Sequence, residues 1–141
     1  MAKVYWDSNL FIYLFEEHPL FAPKVKSLRS RMLERGDQLF TSAFAVAEIL
    51  VKPMETGRRE IAERYLAFFR HPAVAVIPFE LESSSRYAAI RGDRSVRPAD
   101  AIHLACAACA GIDLFITNDD RLSRKVVSGI SFLCALDHAP L

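Results

Sequence analysis

The chain has 141 residues, 52% of them hydrophobic and 25% charged, with a formal net charge of +1. This is enough apolar material for one well-buried core and too little length for two ordinary domains, so residues 1–141 are read as a single globular domain. The balanced charge excludes a generally basic or acidic surface, and any nucleic-acid, membrane or acidic partner has to be argued locally.

The first strand candidate is Val4–Trp6, with no basic region and long apolar run at the N-terminus to resemble a secretory signal. Helical periodicity follows over Leu10–Glu17 and Phe21–Arg35, then a strand at Leu39–Thr41 and helices at Phe44–Lys52 and Arg58–Arg70. A strand at Val74–Ile77 leads to helices Leu81–Arg91 and Pro98–Ala110, a strand Leu114–Thr117, a helix Arg121–Val127 and a last strand Ser131–Leu133. Pro19, Gly36, Pro53, Pro72, Pro78, Gly92 and Gly111 fall where these helical patterns start or stop. Short buried strands alternating with helices predict an α/β layer fold with a mainly parallel sheet.

The apolar run Ala101–Ile112 is too short to cross a bilayer and contains His103, so a soluble cytoplasmic protein with no membrane partner is expected. Cys106, Cys109 and Cys134 are an odd count without framework spacing, which predicts reduced thiols. Cys106 and Cys109 spell C-x-x-C, but inside an apolar helix and with no second ligand pair they read as small core residues.

In an open parallel sheet, ligands bind beyond the carboxyl ends of the strands. Asp7 ends the first strand there and, taken alone, could simply cap the helix beginning near Leu10. Glu48 shares a helical face with Phe44, Ala47 and Val51, so its carboxylate is expected to point inward and to need a partner, either a cation or a buried Arg. Asp100 falls in the first turn of the helix opened by Pro98, where the helix dipole alone would favour an acid. Asp119 follows the fourth strand through Asn118, and either it or the adjacent Asp120 could be an N-cap. Each acid has an ordinary explanation; together they repel unless a cation joins them. Oxygen ligands without a matching His or Cys set suit Mg²⁺ or Mn²⁺ rather than zinc, and such ions suit phosphodiester hydrolysis.

These residues resemble the PIN domains, and most closely the VapC-type toxins among them. The likeness spans nearly the whole chain and rests on Val4-Tyr5-Trp6-Asp7-Ser8-Asn9, Ala47-Glu48-Ile49-Leu50, Pro98-Ala99-Asp100-Ala101-Ile102-His103-Leu104-Ala105, and Thr117-Asn118-Asp119 followed by Arg121-Leu122. No one of these stretches is specific; their order, spacing and strand or helix context are. The resemblance implies a three-layer α/β/α fold with a mainly parallel central sheet of about five strands. It implies catalytic, metal-holding roles for Asp7, Glu48, Asp100 and Asp119, with Asp120 the alternative to Asp119, and accessory roles for Ser8, Asn9, Thr117 and Asn118. It further implies Mg²⁺- or Mn²⁺-dependent endoribonuclease activity, in which the ion activates a water. A homodimer and inhibition by a small cognate antitoxin protein complete what it implies.

Arg94 and Arg97, with Arg86 and Arg91, form a basic stretch before Asp100 that could hold RNA phosphates or be a solvated face. His103 is read as a packed histidine with one hydrogen bond rather than a general base, because an ion would supply the activation. Phe11, Tyr13, Leu14 and Phe15, with Tyr65, Phe68 and Phe69, exceed one core-facing stripe and predict contact with another chain, unless core packing absorbs them. Two other classes compete. An aspartyl-phosphate phosphatase would need a second Asp where Asn9 stands. A catalytically silent PIN-like RNA- or protein-binding module would keep the acids without turnover.

Overall fold

The computed structural model describes residues 1–141. Five strands, β1 (Lys3–Trp6), β2 (Gln38–Ser42), β3 (Val74–Ile77), β4 (Leu114–Thr117) and β5 (Phe132–Ala135), form one sheet in the order β3-β2-β1-β4-β5. Every pairing is parallel, with Val4 opposite both Leu39 and Leu114. Six helices connect or flank them: α1 (Ser8–Phe15), α2 (Ala22–Arg35), α3 (Ala43–Glu55), α4 (Arg59–Arg70), α5 (Leu81–Ile90) and α6 (Pro98–Cys109). None is long and apolar enough to cross a membrane.

Strand alternation sorts the core into two layers. Val4, Trp6, Leu39, Leu114 and Ile116 face one side, where α1 to α4 contribute Leu10, Phe11, Val25, Leu28, Met32, Val46, Ile49 and Phe69. Tyr5 and Phe115 face the other, against Ala101, Leu104, Ala107 and Ala108 of α6. Their rings stack there at 4.7 Å between centroids. With helices on both faces, the sheet is the middle of three layers, as expected.

The chain winds outward through β1, β2 and β3, then returns to the opposite side of β1 for β4 and β5. The direction therefore reverses between β1 and β4, and the crevice at their carboxyl ends is the natural ligand position in such a sheet. Local signals place the helices that line it. Ser42 caps α3 by accepting from the Ala45 N–H at 3.0 Å. Pro98 opens α6, where its missing N–H costs nothing.

Three details differ from the sequence expectation. Arg121–Val127 is not a helix but a single 3₁₀ turn, Leu122–Arg124. Seven residues are too few to hold a helix without a packed face, and Val126 in this stretch is 97% exposed. Pro53 lies inside α3 rather than at its end. It is buried in the last turn, where only one ladder bond is lost, and the Thr56 and Arg58 N–H groups close the helix on Lys52 and Pro53 carbonyls. Finally, most of the aromatic surplus is absorbed within the chain: Phe15 stacks on Tyr65 at 4.5 Å, and Phe11 meets Phe69 edge-on at 5.0 Å.

Candidate metal centre at the carboxyl edge of the sheet

Asp7 continues the ladder with its N–H on the Ile116 carbonyl, and the chain then turns into α1. Its Oδ1 accepts from the Ser8 N–H at 2.8 Å, the capping role foreseen for it, while Oδ2 accepts from the Thr117 hydroxyl at 2.7 Å. The Thr117 oxygen in turn accepts from the Asp119 N–H at 3.1 Å. One buried hydroxyl thus ties the end of β1 to the turn after β4.

In that turn Asp119 Oδ1 accepts from the Arg121 N–H at 2.9 Å and its Oδ2 from Arg97 Nη2 at 3.2 Å. The same guanidinium lies 3.6 Å from Asp100 Oδ2, so Arg97 bridges two of the four acids. Asp120 is exposed and its side chain makes no ion pair. Burial pushes the Asp100 carboxyl above its usual range, and Asp7 adds to the push, with Arg97 opposing it; Asp119 also raises it.

Glu48 does not point into the core. The buried face of α3 is Ala45, Val46, Ile49 and Pro53, while Ala47 is exposed and Val51 is 50% exposed. Phe44 and Ala47 were therefore a poor guide, and Glu48 stands at the margin of the buried stripe with 33% of its side chain exposed. Its partner is not an arginine but His103, whose Nε2 lies 2.5 Å from Oε1.

His103 makes more than the one hydrogen bond expected. Its Nδ1 is 2.7 Å from the Tyr5 hydroxyl, which reaches Ser42 Oγ at 2.8 Å, and its Nε2 also lies 3.5 Å from Asp7 Oδ1. Burial alone would hold this imidazole below its ordinary range, but the Glu48 hydrogen bond and the Asp7, Glu48 and Asp100 charges outweigh it and raise the pKa. Burial also lifts the Tyr5 hydroxyl well above its usual range, so it stays protonated. Asp7, Glu48 and His103 each offer a ligand atom within 4.8 Å of the others.

The accessory positions divide. Thr117 lies within the acid network, and Ser8 enters it through its backbone N–H. Asn9 Oδ1 is buried without a hydrogen-bond partner, Asn118 Nδ2 donates to the Tyr13 hydroxyl at 3.0 Å instead of reaching an acid, and Arg94 is exposed. The cysteines are free, and burial raises the Cys106 and Cys134 thiols to about 11, so both are unreactive. Sequence reading missed the part played by Tyr5 and Ser42. The available signal was a histidine on the buried face of α6, which must find partners somewhere.

Four carboxylates converge on one edge, with an imidazole beside two of them and one carboxyl driven upward by burial and by its neighbours. Such a donor set is short of positive charge and fits a hard divalent cation.

Comparison with known proteins bears on the family and the fold. The chain is 27% identical over 122 residues to ribonuclease VapC23 of Mycobacterium tuberculosis, covering 85% of this chain and 95% of that protein. The fold superposes on that of VapBC2 from Rickettsia felis, solved bound to a DNA fragment from its promoter, with a TM-score of 0.73 at 15% identity over 94% of this chain and 97% of that one. It also matches VapC20 of Mycobacterium tuberculosis, a Sarcin-Ricin loop cleaving toxin, with a TM-score of 0.70 at 14% identity over 90% and 98% of the two chains. The family model of the PIN domain matches residues 4–127, from the first residues of β1 past the turn that carries Asp119, and the chain therefore belongs to the PIN domain family.

Proposed function

We propose that this protein is an Mg²⁺- or Mn²⁺-dependent endoribonuclease and the toxin of a toxin–antitoxin pair, a cytoplasmic homodimer restrained by a cognate antitoxin. The observation that carries the reading is the convergence of Asp7, Glu48, Asp100 and Asp119 at the point where the sheet reverses direction. Likeness to a ribonuclease and to toxin–antitoxin proteins supports RNA as substrate and an antitoxin as partner.

The four carboxylates would hold the cation, which when bound supplies a neutralising charge and activates the water for in-line attack on phosphorus. The rest falls to the chain. Thr117 fixes the free rotation of Asp7 by donating to one of its oxygens. The backbone amides of Arg121 and Leu122 hold Asp119 from behind. Arg97 would offer a planar cation to RNA phosphates once the acids no longer need it as a counter-ion, with the exposed Arg94 three residues before it in the chain as a second.

The test is cleavage of structured and unstructured RNA by the purified protein with Mg²⁺, Mn²⁺ or EDTA, beside Asp7→Asn. Metal-dependent cleavage lost in the variant is expected. RNA or protein binding that needs no metal and leads to no cleavage would overturn it in favour of a silent binding module.

A further inference from the structure

Two of the four acids at the carboxyl edge are each held by several groups, backbone N–H among them: Asp7 by the Ser8 N–H and the Thr117 hydroxyl, and Asp119 by two backbone N–H groups and Arg97. Asp100, short and fixed in the first turn of α6, has one ion pair with Arg97. Glu48 differs: it is the longest of the four and one third exposed, and its only hydrogen bond is to His103 Nε2. Unless that contact holds it, ordering Glu48 for a ligand has an entropic cost that Asp7 and Asp119 avoid and that the shorter Asp100 side chain bears less of.

We propose that His103 is a positioning residue that fixes Glu48 at the cation site and is itself oriented by Tyr5 and Ser42; this rests on the metal-dependent reading above. His103 is 1% exposed and has no room to turn, with the Tyr5 ring edge-on at 6.0 Å and the Phe44 ring at 5.3 Å. The protons of the chain can be placed without conflict. Ser42 Oγ accepts from the Ala45 N–H, so its own proton can go to the Tyr5 oxygen, the Tyr5 proton to His103 Nδ1, and the Nε2 proton to Glu48. In the imidazolium the first two bonds reverse, Nδ1–H donating to Tyr5 and Tyr5 to Ser42, while Nε2–H still donates to Glu48. The hold on Glu48 is therefore the same in both protonation states. A buried chain that starts at the cap of α3 and ends on a side chain of α3 joins β1, α3 and α6 at the site.

Mn²⁺ binding, followed by calorimetric titration or by the spin-resonance signal of the free ion, tests this without requiring turnover. Tyr5→Phe keeps the ring stacked on Phe115 and removes only the hydroxyl. His103→Leu removes the contact, and His103→Gln keeps a donor that can reach Glu48. With the fold checked by thermal melts in EDTA, Tyr5→Phe and His103→Leu are expected to bind Mn²⁺ on the order of 10–100-fold more weakly, as loss of a ligand's supporting partner typically does, with part of the loss recovered in His103→Gln. The same His103→Leu change placed on Glu48→Gln should add little, because its effect runs through the Glu48 carboxylate. Wild-type affinity in folded Tyr5→Phe and His103→Leu would overturn the proposal, as would an equal loss with and without Glu48. Should His103→Leu not fold, Tyr5→Phe decides alone. Absence of Mn²⁺ binding by the wild type would instead remove the metal-dependent reading and this proposal with it.

Discussion

The two ends of the sheet use aspartate in opposite ways. At the amino edge, Asp37 accepts from the Ala2 N–H at 2.8 Å and pairs with Arg35 at 2.9 Å, and Asp113 accepts from the Lys3 N–H at 2.8 Å. Each spends its charge on a backbone amide that fixes the entry of β1. At the carboxyl edge the acids also cap turns, but they face one another as well. Burial does not distinguish the two sets, since Asp37 is 7% exposed and Asp7 6%. What separates a structural acid from a site acid here is whether it shares its cation: Arg35 serves Asp37, whereas Arg97 lies between Asp100 and Asp119 and His103 between Asp7 and Glu48.

The comparison is broken most severely by exchanging the consequences of substitution at the two edges. Asp7→Asn, Glu48→Gln, Asp100→Asn and Asp119→Asn are each expected to reduce RNA cleavage by orders of magnitude. Asp37→Asn and Asp113→Asn should leave the rate per folded molecule near that of wild type; a loss of turnover at the amino edge would erase the distinction. Stability should show the reverse. Asp37→Ala leaves the Ala2 N–H and Arg35 without their acceptor, and a loss of about 1–3 kcal/mol in denaturant melts is expected.

A smaller effect sharpens the contrast from the other side. Neutralising an acid that sits among like charges relieves repulsion, so Asp100→Asn should melt at an equal or higher temperature than wild type in EDTA, by no more than about 1 kcal/mol at a site that solvent still reaches. It should also forfeit most of the stabilisation that Mg²⁺ or Mn²⁺ confers on wild type, which at a hundredfold excess over Kd is about 2.7 kcal/mol. A variant that loses stability in EDTA and still responds fully to metal would make Asp100 an ion-pair partner of Arg97 and nothing more.

The pH dependence of melting in EDTA is the next, weaker handle. The folded pKa of His103 is raised, so its favourable contribution is complete below the ordinary histidine value of 6.5 and is lost as pH rises through the folded value. His103→Gln should flatten that decline. The ionised Asp100 carboxylate is disfavoured by folding, so its contribution has the same sign at lower pH, stability falling as pH rises through the carboxylate range. A slope unchanged by either substitution would place the titration elsewhere. Smallest of all, Asp120→Asn should leave both cleavage and melting close to wild type, because its side chain is exposed.

Much of this was legible in the sequence because strand and helix periodicity reports which residues share a face. All five strands lie where short apolar runs placed them, and Asp7 and Asp119 stand at strand ends as the pattern required. Periodicity is silent on what faces what. Tyr5 and His103 are 98 positions apart, and their contact exists only because α6 packs on the face of β1 that carries Tyr5. Glu48 failed for a related reason: two helical stripes were available on α3, and tertiary packing chose Ala45, Val46 and Ile49 over Phe44, Ala47 and Val51. The helix expected over Arg121–Val127 failed because its apolar residues do not form one helical stripe on the core: Leu122 is buried and Val127 packs beside it, but Val126 between them in sequence has nothing to cover. Val126 remains in solvent, and the segment is steered back to β5 through Gly129, at φ 95°, where a Cβ would stand 3.0 Å from that of Ala108.

The strand order has a temporal side. Because β1 pairs directly with β4, Asp7 waits for a residue 110 positions later in the chain before it gains its Thr117 partner or the company of Asp119. Contacts of such long sequence separation form late, after the local helices. A partly synthesised chain, or a fragment ending before β4, therefore holds Asp7, Glu48 and Asp100 without the fourth acid or the hydroxyl that ties the edge together. The edge that gathers the acids is thus completed only when the last two strands join the sheet.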